Sequence, residues 1–271
     1  MDIDGNYLKT RANEIRRMVV RMVTRAGGGH LGGSLSEVDI LTALYFHIMN
    51  ISPRNLTDPA RDRFVLSKGH ASEGYYCTLA VAGFFERDLL DHYLENGNPL
   101  TIHPTGHVPG IEVNTGALGH GFSIAAGMAL AAQRSGVFYR VFVLTGDGEL
   151  QEGSNWEAAM AAAHYKLGNL TVFVDNNGLQ LADRIDRTMG IEPLADKFRA
   201  FGFDVHPVNG HSIDELCGAL EALDYRGDRP HAVIAKTIKG KGVSFMENIP
   251  EWHHRIPTEA ECLRALEELR I

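Results

Sequence analysis

The chain has 271 residues, 44% of them hydrophobic, and a formal charge of −8 from 34 acidic against 26 basic side chains. Its size and apolar content suit one large α/β domain or two small ones. The charge has the wrong sign for an electrostatic grip on nucleic acid or an anionic membrane, so any bound anion must be held by local geometry.

Along the chain, RANEIRRMVVRMV (11–23) is basic and amphipathic, but Asp2, Asp4 and Glu14 interrupt a transit-peptide pattern. No apolar run reaches membrane-spanning length, so the segment is expected to be a structural helix. Short β-branched runs then recur at RFVLS (63–67), RVFVLTGD (140–147), LTVFVDNN (170–177), FDVHPV (203–208) and HAVIAKT (231–237). Helical stretches lie between several of them, including SIAAGMALAAQ (123–133) and SNWEAAMAAAHYKL (154–167), and ECLRALEELR (261–270) reads as a closing amphipathic helix. Such alternation predicts an α/β fold: a doubly wound, mostly parallel sheet with helices on both faces and its ligand crevice at the carboxyl ends of the strands. No repeat, low-complexity tract or Pro/Ser-rich linker divides the chain, so 1–271 is expected to be a single domain. Cys77, Cys217 and Cys262 form no CxxC pair and suggest neither a disulfide framework nor a zinc site, which fits a reducing cytoplasm.

Two apolar runs end in polar corners, GDG (146–148) and DNN (175–177), separated by one helical stretch of crossover length. Both corners should therefore sit on the functional edge. Gly146 and Gly148 permit a sharp turn and close approach of a ligand, while Asp147 offers a carboxylate. Magnesium prefers oxygen ligands and commonly bridges one or two protein groups to phosphates; Asn176 or Asn177 would supply a second ligand.

TGDGELQEGSNWEAAMAAAHYKLGNL resembles the transketolase form of the thiamine diphosphate motif. The similarity extends through GGGHLGGSLS (27–36), LSKGHAS (66–72), PGIEVNTGALGHG (109–121), KTIKGKGVSFMEN (236–248) and WHHRIP (252–257). The chain resembles the diphosphate-binding half of transketolase, specifically the N-terminal subunit of the two-chain enzymes. That resemblance implies thiamine diphosphate with Mg2+, or Ca2+ or Mn2+, as cofactors. Asp147, Asn177 and the Leu179 carbonyl would bind the metal. The Gly148 N–H, His70 and His253 would contact the diphosphate, Gly116 and Leu118 would receive the aminopyrimidine, and Leu181 would pack on the thiazolium ring.

The same resemblance implies catalytic roles for His30, His70, His103 and His253. Imidazole suits ketol transfer because it holds hydroxyls and exchanges protons near neutral pH. Glu152 would lie at a dimer interface and bond the partner's cofactor-activating glutamate. Four positions depart from the common pattern: His107, His120, Gly178 and His254, each expected near the site. The pyrimidine-binding domain is not in this sequence, so a separate C-terminal subunit is the expected partner, in a heterotetramer that also self-associates through the family dimer interface. Sugars or sugar phosphates are the expected substrates, in carbohydrate metabolism of which the pentose phosphate pathway is the family's usual setting. Two alternatives remain: another thiamine diphosphate enzyme, such as a 2-oxoacid dehydrogenase α chain or a 1-deoxyxylulose-phosphate synthase, and a non-catalytic cofactor-binding subunit. LSKGHAS, His103 and WHHRIP match transketolases better than the first, and the intact histidines argue against the second.

Overall fold

Each of the five apolar runs becomes a strand, because β-branched side chains in runs too short for a helix pack well on a pleated surface. The computed structural model describes residues 5–181 and 183–270. In chain order the strands are β1 (Arg63–Leu66), β2 (Val141–Gly146), β3 (Leu170–Asn176), the short β4 (Leu179–Gln180) and β5 (Asp183–Arg184), β6 (Asp204–Asn209) and β7 (His231–Lys236). Five of them form one sheet in the order β1-β2-β3-β7-β6, with every neighbour pair parallel. β4 and β5 form a separate antiparallel hairpin. β6 is an edge strand, and Pro207, which has no N–H to give, sits on it.

The helices are α1 (Gly5–Ala26), α2 (Leu31–Ser36), α3 (Val38–Ala43), α4 (Ser72–Val81), α5 (His120–Ser135), α6 (Gly153–His164), α7 (Ile185–Thr188), α8 (Leu194–Ala200), α9 (Ile213–Glu221) and α10 (Glu259–Glu268). They cover both faces of the sheet, as the alternating pattern predicts. Phe142, Leu144 and Phe173 share a core with Ile15 of α1, Tyr75 of α4, Leu216 of α9 and Ala265 of α10. Val141, Val143, Val172 and Val174 point the other way, against Ala125 of α5, Ala159 of α6 and Phe198 of α8. Each fully buried Leu, Val or Phe contributes about 1.5–3 kcal/mol relative to exposure, so two faces of such side chains set the sheet firmly. α10 begins with a capping box between Thr258 and Glu261, and Arg17 of α1 donates to the Leu266 carbonyl at 2.5 Å, docking this helix on the first. The three cysteines are buried and free. No described helix is long and apolar enough to cross a membrane.

Parallel pairing brings all five carboxyl ends to one edge. Gly146 lies opposite Asp175, and Asn176 opposite Lys236, so the turns after β2, β3 and β7 adjoin. α5 approaches the end of β1 closely enough to need glycine: a Cβ on Gly121 would stand 2.7 Å from Ser67 Cα and 2.5 Å from its Oγ. Gly121→Ala should therefore push α5 off β1 and cost about 1–3 kcal/mol, as overpacked sites do. Urea denaturation checks this; unchanged stability would mean that the helix shifts freely at this contact.

Candidate active site

The carboxyl ends of β1, β2, β3 and β7 surround a cavity of about 250 Å³. Ten of the twelve expected positions line it: His30, His70, Gly116, Leu118, Asp147, Gly148, Asn177, Leu179, Leu181 and His253. They arrive from separate segments of the chain. His30 immediately precedes α2, and His70 lies in a turn of 3-10 helix, Gly69–Ala71, directly after β1. His253 ends another such turn, Pro250–His253, anchored by Trp252, which is 1% exposed and donates its Nε1–H to the Phe245 carbonyl at 2.9 Å.

Beneath the cavity lies a buried ionic group. Lys68 follows β1, donates to Asp175 of β3 and to the Gly33 carbonyl (3.0 Å), and stands 3.2 Å from Glu37. Asp175 also accepts from Ser36 at 2.6 Å and from Thr237. Burial works against the Lys68 ammonium, but Asp175 and Glu37 outweigh it and hold its pKa above the ordinary lysine value. Burial likewise opposes the Asp175 carboxylate, and Lys68 with the hydroxyl bonds keeps its pKa below the usual range. Glu37 is left raised well above that range by burial.

Asp147 is 2% exposed. Its oxygens accept the N–H groups of Gly148 (2.8 Å) and Gly178 (2.6 Å), and burial pushes its pKa up to about 6. A carboxylate in that position gains from a divalent cation more than one in water would. Asn177 lies on the same wall, its Oδ1 accepting the Leu179 N–H at 3.0 Å. An oxygen-only donor set of carboxylate, amide and peptide carbonyl fits a hard cation such as Mg2+. Leu181, 58% exposed and at φ +49, presents an apolar side chain at the cavity from a left-handed backbone that L residues seldom hold.

The imidazoles face one another. The His30 ring centroid lies 5.5 Å from that of His70, 5.4 Å from His253 and 4.6 Å from His254. Burial lowers His30 to about 4 and His253 to about 3, and takes His70 well below its ordinary value, so these rings are neutral at physiological pH. The His30 backbone N–H donates to Glu73 at 2.9 Å, which also accepts from Ser34 (2.6 Å) and Tyr93 (2.8 Å). His30 Nδ1 is buried without a partner, a nitrogen free for a ligand.

Two expected residues are not on the wall. His103 packs beside Gly116, its ring 6.1 Å from His30; Gly116 is at φ +134, and a Cβ there would come 2.7 Å from the His103 ring. Glu152 occupies the position before α6 without a side-chain capping bond and is exposed, outside the cavity. The four departures divide. His254 lines the cavity and Gly178 bonds Asp147. His107 and His120 are exposed and outside its walls; His120 turns its Nδ1 to the carbonyl of the wall residue Leu118 at 3.3 Å.

Sequence reasoning missed Lys68, Lys239 and Glu149 as wall residues. Lys239, 3% exposed, has its Nζ 2.8 Å from His253 Nδ1, and burial, then Lys68, lowers its pKa to about 8. Glu149 accepts the N–H groups of Gly119 (3.0 Å) and Gly146 (3.1 Å), tying the turn before α5 to that after β2. All three lie in the family-like motifs, each just past a strand end, which was the available signal.

A family model described as "Transketolase, thiamine diphosphate binding domain" matches residues 8–268. The chain is 48% identical to a subunit of apulose-4-phosphate transketolase from Actinobacillus succinogenes, over 99% of this chain and 98% of that one. It is 41% identical to a subunit of 6-deoxy-6-sulfo-D-fructose transketolase from a Clostridium species, over 97% and 96% of the two chains. Among solved structures, transketolase from Campylobacter jejuni superposes with a TM-score of 0.92 at 32% identity, covering 99% of this chain and 43% of that one. The chain thus spans less than half of that transketolase and nearly all of the two subunits.

Lys68→Met should leave Asp175 and Glu37 buried without their cation and lower stability by about 3–5 kcal/mol, measurable by denaturant unfolding. A loss under about 1 kcal/mol would mean that water or a second cation replaces the ammonium. Lys239 makes a pH prediction. An anion beside it favours the ammonium, so thiamine diphosphate binding should take up protons above about pH 8 and weaken as pH rises further. Calorimetry in two buffers of different ionisation enthalpy reads this directly, and binding without proton uptake would remove Lys239 from the anion's surroundings.

Proposed function

Since the chain belongs to the transketolase thiamine diphosphate-binding family, we propose that it is the N-terminal subunit of a two-chain transketolase. With a separate C-terminal subunit it transfers a two-carbon ketol unit from a ketose donor to an aldose acceptor. The observation that carries this reading is the cavity where neutral imidazoles, a buried lysine and the Asp147–Asn177 corner converge. Thiamine diphosphate supplies the carbon centre that accepts and stabilises the ketol unit.

This chain's residues hold and orient. Asp147, Asn177 and the Leu179 carbonyl would hold Mg2+, which would offset part of the diphosphate charge. His70, His253, the Gly148 N–H and Lys239 give directed donors to the rest, so a net acidic chain retains an anion. Gly116 and Leu118 receive the aminopyrimidine, and Leu181 covers the thiazolium. Uncharged His30, His103 and His253 bind sugar hydroxyls and exchange their protons without presenting fixed charge to the reacting carbons. Glu152, exposed at the mouth of α6, meets the partner subunit, completing a cytoplasmic heterotetramer. Relatives named for apulose 4-phosphate favour a phosphorylated ketose as donor.

The test is to purify the tagged chain from its own cells with thiamine diphosphate and Mg2+, determine the mass and composition of the complex, and assay ketol transfer from phosphorylated ketoses. A stoichiometric second chain with activity is expected; a chain that emerges alone and inactive with every ketose would overturn the proposal. Asp147→Asn should weaken Mg2+-dependent cofactor binding at least about tenfold, because the charged ligand is gone. Unchanged affinity by calorimetry would place the metal elsewhere.

A further inference from the structure

At the opposite end of the sheet, Asp204, His206 and His231 carry ligand atoms that all lie within 4.8 Å of one another. Register brings them together. β6 and β7 run parallel with Asp204 opposite His231, and His206 follows Asp204 by two residues, so the three side chains leave the same face. Strand β6 is the sheet edge, and there Asp204 is exposed while His231 is 2% exposed.

One imidazole is held on its far side. His231 Nε2 lies 3.2 Å from the Asp224 carbonyl, so its proton belongs there, and Nδ1 is left buried with a free lone pair and no hydrogen-bond partner. His206 Nε2 is also buried and unpartnered. A carbonyl that holds one ring N–H and frees the other nitrogen is the usual second contact of a metal-binding histidine. Two imidazole nitrogens and one carboxylate oxygen match Zn2+, with water in a fourth position.

We propose that Asp204, His206 and His231 form a divalent transition-metal site, best suited to Zn2+, that clamps edge strand β6 to β7. The ligand atoms close in by side-chain rotation, which is easiest for Asp204: its ion pair to Arg229 is loose at 3.7 Å and half exposed. The clamp answers a weakness of the fold, since an edge strand otherwise offers unpaired backbone groups to other chains. The site stands about 20 Å from the cavity, a six-residue strand's length away, so the metal is structural and takes no part in ketol transfer.

The test uses the purified protein together with any second chain that co-purifies, loaded with thiamine diphosphate and Mg2+, stripped of transition metals and dialysed against Zn2+. Bound zinc is counted by mass spectrometry for the wild type, His206→Ala, His206→Gln and His254→Gly. The last removes one member of a second group of three potential ligands, His30, His253 and His254, inside the cavity. Zinc affinity should fall at least about tenfold in both His206 variants and persist in His254→Gly. Zinc should also raise the melting temperature of the wild type and not of the His206 variants. Equal zinc binding by wild type and His206→Ala, or loss of zinc in His254→Gly, would overturn the proposal. Should the His206 variants not fold, Co2+ added to His254→Gly decides: strong visible bands of a four- or five-coordinate site support it, and weak octahedral bands alone refute it.

Discussion

The ion group of Lys68, Asp175 and Glu37 is the constraint on which the catalytic edge depends. Removing these charges from water is costly, and a buried pair of this kind seldom adds much to net stability. Its contribution is position. Asp175 is the point at which β3 receives Lys68 from the end of β1, Ser36 from α2 and Thr237 from the end of β7. Four segments that carry cavity walls are thereby referred to one carboxylate.

Above that base, the site handles charge in two ways. The metal corner concentrates it: Asp147 is buried and held by backbone N–H groups that do not neutralise it. The imidazole group avoids it, since desolvation keeps His30, His70 and His253 uncharged, with Lys68 and Lys239 nearby. On the proposed reading, a strongly anionic cofactor would draw on the carboxylate corner together with His70, His253 and Lys239, while His30 would face the hydroxyl-bearing substrate without adding charge.

Much of this was legible in the sequence. The five strands were marked by β-branched runs, and GDG and DNN had to adjoin once those strands were parallel neighbours. Alanine-rich or amphipathic stretches marked α1, α5, α6 and α10, whereas shorter helices such as α4 and α9 were not picked out. Lys68, Lys239 and Glu149 were not legible either, because a lysine or glutamate in a loop looks solvated until its burial partners, which come from distant segments, are in place. His254 is a similar case: an imidazole beside His253 in sequence also reaches His30, from the far end of the chain, only because Trp252 pins that turn to the core.

The order in which the walls occur along the chain has a consequence for biosynthesis. The first contributor, His30, lies near the start, while His253 lies within the final turn before α10. As translation delivers residues from the amino end, the sheet strands all emerge before the pocket's last wall. On the proposed reading, the diphosphate would gain its last contact from this chain only once His253 has left the ribosome. Cofactor capture would then act as a late check on folding, stabilising chains that have reached His253 and leaving shorter ones without that support.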